Sequence, residues 1–283
     1  MIDPSVIKPH LDRLLKRFNK SYLAPDPLAA ALEFDSNPAD LEVSCLIAGV
    51  FAYGRADLIQ RNVHSILRSM DCSPAEFCDR FAVKDDGKWM RGFSYRFNKR
   101  EDLSALIKAI GSARRKHGSL KALFLEGDAP LEETILPGLT HFVTHLRRYS
   151  GRNAQSFNTL LADPSLGGAS KRWNLFLRWL VRKDGVDPGP WHGAISTARL
   201  VIPLDTHVGR IARQLGMLDR NANDWKAALE LTRFLRKLDP QDPVKYDFAI
   251  CSYGKLGYCV RQVDPEKCRT CDLDPVCSRL HAE

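Results

Sequence analysis

The sequence predicts an all-α protein, and three observations carry that prediction. Apolar residues recur at helical spacing from one end of the 283-residue chain to the other. No stretch alternates apolar and polar side chains over the length of a strand. Hydrophobic residues at 44% and charged residues at 27% are ordinary globular values, and there is neither an internal repeat nor a low-complexity segment.

The elements follow in order. Ile7, Leu11, Leu14 and Leu15 mark an amphipathic opening helix, and Ala24-Pro25-Asp26-Pro27 belongs to the loop after it. Pro38-Ala39-Asp40 starts a very apolar segment through Leu46, Ile47, Val50 and Phe51, which reads as a central buried helix. It runs through Ala52-Tyr53-Gly54-Arg55-Ala56-Asp57 into a further helix over 58–67. Residues 84–99, with Gly87 and Gly92, read as a loop, and helices are expected over 101–116, 118–126 and 131–149. Gly167 and Gly168 open a helix that carries Trp173, Leu175, Phe176, Trp179 and Leu180. Glycines before a helix let backbone N–H groups approach an anion, commonly phosphate, although a plain turn has the same look. Residues 184–199 form a long irregular connection rich in glycine and proline, Lys226 to Leu238 is another helix, and a last one runs through Tyr246, Phe248 and Ile250.

Between these lies the stretch Val201-Ile202-Pro203-Leu204-Asp205-Thr206-His207-Val208-Gly209-Arg210. An apolar run meets a proline, then a carboxylate, then an amphipathic segment with Val208, Ile211, Ala212 and Leu215 and a stop at Gly216. Asp205 is therefore the expected N-cap of a helix, its carboxylate set among unpaired backbone N–H groups at the positive end of the dipole.

Net charge is +8 with a pI near 9.1, which suggests an acidic partner, nucleic acid being the commonest. The segment MIDPSVIKPH has no apolar core of signal-peptide length, and the longest apolar run, Leu46 to Tyr53, is too short to span a bilayer. The expectation is a soluble cytoplasmic protein with no membrane partner. Four of the eight cysteines are scattered (Cys45, Cys72, Cys78, Cys251), and four follow as Cys259-x8-Cys268-x2-Cys271-x5-Cys277. In a chain without an export signal this cluster reads as a metal site rather than a disulfide framework. Four thiolates suit tetrahedral zinc or a 4Fe-4S cluster. Zinc ribbons usually show two CxxC knuckles, whereas the single CxxC here favours the iron–sulfur reading. Lys255, Arg261, Lys267 and Arg269 surround the cysteines and offer positive charge to a phosphate backbone.

Taken together, a Gly-Gly turn followed by Lys171, PLDTHVGR at a helix start and a terminal four-cysteine loop resemble the helix-hairpin-helix (HhH-GPD) DNA glycosylase superfamily, in particular the iron–sulfur branch that includes endonuclease III and MutY. Ala52-Tyr53-Gly54-Arg55 and Asp242-Pro243-Val244-Lys245-Tyr246-Asp247-Phe248 resemble a bacterial family of unassigned function within that superfamily. The resemblance implies a two-lobed helical fold: a helical barrel lobe over 40–183 ending in the Gly-Gly-Lys segment, a second lobe from 1–39 plus 195–258 carrying Asp205, and a cluster loop over 259–277. It implies a monomeric, nucleoid-associated DNA-repair N-glycosylase, with Asp205 as catalytic carboxylate and Lys171 aligned with the lysine that bifunctional relatives use as nucleophile. Cys259, Cys268, Cys271 and Cys277 would hold the 4Fe-4S cluster, with zinc the alternative. Gly167, Gly168, Ser170, Arg172 and His207 would contact nucleic acid, and Tyr53, Arg55 and Trp173 are candidates for wedging or stacking. Two further readings stand beside this: a non-catalytic nucleic-acid binder, and a glycosidase acting on a nucleotide or a modified RNA nucleoside.

The chain departs from the pattern in four places. Leu166-Gly167-Gly168-Ala169-Ser170-Lys171 stands where relatives read L-P-G-V-G-R-K. Residues 184–199 look like an insertion between Lys171 and Asp205. Ala52 to Asp57 replaces a glutamine-containing segment, and the first cysteine gap is two residues longer than in relatives.

Overall fold

The computed structural model describes residues 1–24, 26–71, 73–81 and 89–278. Helices dominate, in the order α1 (Pro4–Arg17), α2 (Leu28–Ala31), α3 (Pro38–Val50), α4 (Ala56–Arg68) and α5 (Pro74–Arg80). A two-stranded hairpin follows, β1 (Ser94–Tyr95) and β2 (Asn98–Lys99). Then come α6 (Arg100–His117), α7 (Leu120–Glu126), α8 (Leu136–Ser150), α9 (Gln155–Leu160) and α10 (Lys171–Val181). The chain closes with α11 (Thr206–Gln214), α12 (Trp225–Leu238), α13 (Asp247–Lys255) and α14 (Pro265–Arg269). The expected all-α class holds apart from the hairpin, which occupies part of the segment read as a loop; Gly87 and the rest of 82–88 lie outside the described residues. No helix among the described residues is long and apolar enough to cross a membrane.

The chain divides into two compact units. One comprises Ala24–Leu166 and Trp179–Ile195 and is called here the α6 unit. Its central helix α3 starts where Asn37 accepts the Ala39 N–H at 2.9 Å and Pro38 fills the first turn, and every residue from Asp40 to Val50 is buried. α6 packs against α5, α7 and α8. One buried acid organises several of these elements: Glu42 accepts the Leu120 and Lys121 N–H groups at the start of α7 (2.9 and 2.8 Å) and the Trp191 indole N–H (2.6 Å). These bonds supply partners that the first turn of a helix cannot find within itself.

The other unit comprises Met1–Leu23, Gly167–Arg178 and Ser196–Glu283 and is called here the Asp205 unit. α1 packs on α12 and α13, and α11 packs on α13. Its interior holds an ion pair between Arg178 and Asp247, both about 2% exposed. Tyr246 donates its hydroxyl to Asp12 at 2.8 Å, which ties α1 to the start of α13.

These boundaries differ from the sequence expectation in three ways. Residues 24–39 belong with the α6 unit, because α2 packs on α3 and α4. The Gly-Gly-Lys segment belongs with Asp205 rather than with the barrel lobe: the Trp225 N–H donates to Gly167 O at 3.0 Å and Gly168 bridges Asp224. The cysteine loop is part of the same unit rather than a separate piece.

Candidate active site

Asp205 follows a run of residues that are almost fully inaccessible, Val201, Ile202 and Leu204. The run is pinned by the Ile202 N–H, which donates to Thr232 Oγ1 at 3.0 Å. Asp205 is extended at φ −103°, ψ −175°, and its Oδ1 accepts the Val208 N–H at 2.8 Å, so it caps α11. Its Oδ2 accepts from the Cys251 thiol on α13 at 3.4 Å. Burial pushes the Cys251 thiol well above its ordinary pKa; the Asp205 and Asp247 carboxylates add to that shift, and the Lys255 and Lys171 ammonium groups oppose it. Lys171 and Asp205 belong to one unit, although 34 residues separate them in sequence.

Lys171 opens α10. The turn before it contains Gly167 at φ +79° and Ser170 at φ +49°. Only glycine takes the first value without strain, and an L residue at the second is held there by its surroundings. Here the Asn174 N–H donates to Ser170 O at 2.9 Å, and the Ser170 hydroxyl donates to Gly168 O at 3.4 Å. Gly167 and Gly168 are exposed, with open space where a Cβ would stand. Arg172 is half-buried. Trp173, read as a possible stacking residue, is instead core: it is 3% exposed and meets Phe176 edge-on at 6.3 Å.

His207 sits in the first turn of α11, directly over Gly254 of α13, where a Cβ would come within 2.8 Å of the His207 Cβ. Its buried Nδ1 has no hydrogen-bond partner among the described residues. The residue lines an open cleft of about 940 Å³ together with Arg210, Arg213, Asn223, Arg261 and Lys267. Among the described residues that line this cleft none is acidic, so it is a basic surface beside the start of α11.

Arg210 joins the two sequence motifs. Its guanidinium donates to Cys259 Sγ (3.1 Å), Cys259 O (2.9 Å) and Val260 O (2.9 Å). Cys259 Sγ also lies 3.1 Å from Gln214 Oε1, and the backbone N–H of Ser278 returns to Gln214 O at 3.0 Å. Cys271 Sγ lies 3.1 Å from the Tyr253 hydroxyl and accepts the Leu273 N–H at 3.4 Å. Burial pushes the Cys259 thiol up while Arg210 pulls it down. Cys259, Cys268, Cys271 and Cys277 are free thiols and line one small cleft of about 30 Å³. Among the described residues no three Cys, His, Asp or Glu side chains stand as a ready-made metal site.

Tyr53 and Arg55 lie in the α6 unit. Tyr53 is half-buried and donates its hydroxyl to Asn98 Oδ1, while Arg55 is 77% exposed and forms a bidentate pair with Asp57 at 3.1 and 3.0 Å. Sequence reasoning missed Cys251, Arg213 and the hairpin beside Tyr53. Cys251 carried no signal, because its role depends on α13 lying against α11.

A family model described as "Protein of unknown function (DUF2400)" matches residues 26–256. The chain belongs to that family. No curated protein and no solved structure matches it significantly. The span matched by the DUF2400 family takes in Tyr53, Lys171, Asp205 and Cys251 and stops short of the four terminal cysteines.

Proposed function

We propose that the protein is an N-glycosylase that releases a flipped-out base from nucleic acid, with Asp205 as its catalytic carboxylate. The observation that carries this reading is the Asp205 carboxylate held at the capped start of α11 between the Val208 N–H and the Cys251 thiol, with Lys171 in the same unit. Within a duplex the glycosidic bond is shielded, so such chemistry needs the nucleotide extruded. As the base departs with the bonding electron pair, positive charge develops on the sugar. A carboxylate fixed by the Val208 N–H and the Cys251 thiol is preorganised to stabilise that charge. Water then adds to the sugar carbon and its proton passes to the departed base. Where a neutral Lys171 amine attacks instead, one amine proton passes to the base, the sugar-ring C–O bond breaks with a proton going to the ring oxygen, and the resulting Schiff base opens the way to strand cleavage. Gly167 and Gly168, exposed on the turn before α10, and the half-buried Ser170 would take a phosphate contact.

Cys259, Cys268, Cys271 and Cys277 suit a 4Fe-4S cluster in donor chemistry: four free thiols on one cleft, with Arg210 and Leu273 N–H groups directed at two of the sulfurs. Zinc would take the same donors. Once bound, the metal centre supplies a cross-link and local charge, and no step of base release passes through it.

A second reading, nucleic-acid binding without chemistry, is favoured by one observation: the basic cleft is lined by His207 and Arg210 but not by Asp205 or Lys171. A panel of lesion-bearing oligonucleotides separates the two. Released free base together with an abasic product supports the glycosylase; salt-sensitive binding without product on any substrate supports the binder and overturns the glycosylase.

A further inference from the structure

The β1–β2 hairpin of the α6 unit has only two residues in its turn, since Tyr95 pairs with Asn98. Those residues are Arg96 and Phe97, an unusual choice. Two-residue hairpin turns favour Asn or Gly because the backbone enters the left-handed region. Arg96 takes φ +55°, a strain that persists only where the surroundings over-determine it.

The surroundings are a buried polar network. Asn98, 0% exposed, accepts from the Tyr53 hydroxyl and donates to Asp102 Oδ2 (3.1 Å) and Ser156 O (2.9 Å). Asp102, 1% exposed, also accepts from Arg152 Nε (2.6 Å), the Ser156 hydroxyl (3.0 Å) and the Lys99 N–H (3.1 Å). Tyr95 donates its hydroxyl to Tyr53 O, and Gly54, at φ +106°, leaves room for Tyr95 and the Arg96 side chain to lie close over the backbone. A hairpin anchored on three sides holds its turn in place. What it holds there is an apolar ring: Phe97 is 49% exposed and stacks on Tyr53 with ring centres 5.6 Å apart and planes 21° from parallel.

A large aromatic held out in water by a strained, fully satisfied turn has no role in the core. The charge around it indicates what it meets. Arg55, Arg96 and Lys99 are exposed on the same segments, and Asp57 is engaged by Arg55 and Arg61. Arg96 makes no ion pair among the described residues. A two-ring stack bordered by guanidinium groups suits a third flat ring attached to an anionic backbone, because stacking needs only a π-face and the cations follow the phosphates.

From this we infer that the Arg96–Phe97 turn is a base-stacking element, in which Phe97 extends the Tyr53 stack onto an unpaired base of nucleic acid and Arg96 contacts the adjoining phosphate. This rests on nucleic acid being the partner but not on any chemistry at Asp205.

The test is fluorescence anisotropy with the full-length protein and two probes of one sequence, a labelled single strand and its fully paired duplex. Phe97→Ala should weaken binding of the single strand about tenfold, a loss of about 1.4 kcal/mol. Phe97→Trp should restore it to within about threefold, with emission quenched on binding beyond that of the unchanged protein. Arg96→Ala should lower the slope of log affinity against log salt by about one. Each variant is first required to keep the parent melting temperature. If the unchanged protein binds and Phe97→Ala binds equally well, the stacking role is overturned while the nucleic-acid reading stands. If the unchanged protein binds neither probe at any salt concentration, both fall.

Discussion

At Asp205 two roles share one carboxylate, and substitution separates them. Asn caps a helix about as well as Asp, whereas Ala leaves the Val208 N–H without its partner. Asp205→Ala should therefore cost about 1 kcal/mol in urea unfolding and Asp205→Asn only a few tenths. A stability loss as large for Asn as for Ala would mean that the charge, not the cap, holds this turn together. The cysteines make a second prediction at this scale. Cys45 and Cys78 are wholly buried, and burial pushes both thiols far above their ordinary values. Alkylation requires the thiolate, so native protein at neutral pH should resist iodoacetamide at both positions and label there only in urea, as read by peptide mass spectrometry. Labelling of either in the native state would contradict the packing of α3 or α5.

Among the elements, α11 was the most legible. A polar cap, apolar positions at helical spacing and a stop at Gly216 are local signals, and the structure returns the cap at Asp205 and φ +65° at Gly216. α3 and α6 were legible for the same reason. α9, with 6 residues, is too short for the 3.6-residue period to repeat, α5 buries only Pro74, Ala75 and Cys78 and so shows no strong apolar stripe, and two-residue strands show no alternation, so the sequence reading passed over them. The placement of Lys171 in the same unit as Asp205 rests on Gly167 bonding across to Trp225, and the Arg210–Cys259 contact spans 49 residues. Neither leaves a trace in local pattern. The α5–α6 contact also gives a prediction. A Cβ on Gly111 would fall 1.9 Å from the Cys78 carbonyl oxygen, which is backbone and cannot swing aside. Gly111→Ala should accordingly cost about 1–3 kcal/mol despite the better helix propensity of alanine, measured as a lower urea midpoint with unchanged slope.

For the molecule as a whole, acid is the expected weakness. Asp102 is subject to burial, which raises its pKa, yet Arg152, Asn98, the Lys99 N–H and Ser156 outweigh that and hold it below the usual carboxylate range. Asp12, Asp184 and Asp239 are likewise depressed, by Lys8, Arg182 and Lys245 among others, against opposing burial. A depressed carboxylate contributes stability that is present above its unfolded pKa, about 3.9, and is lost as pH falls through the lower folded value. Glu42 runs the other way. Burial raises it above its ordinary value, so its contribution is present below the unfolded pKa and is lost as pH rises through the folded one. With these four depressed groups set against this one, the urea midpoint should drop as pH falls below about 4, and Asp102→Asn should shrink that drop. A midpoint that rises on acidification would show that Glu42 dominates.

The central claim is that Asp205 does chemistry as well as capping α11, and single-turnover base release tests it on whichever lesion substrate the unchanged protein processes. Asp205→Asn, with its melting temperature preserved, should slow release by about 100-fold or more, the scale on which an electrostatic contact to a developing charge acts. An Asp205→Asn protein that releases base at the unchanged rate would contradict the assignment and leave Asp205 as a cap alone.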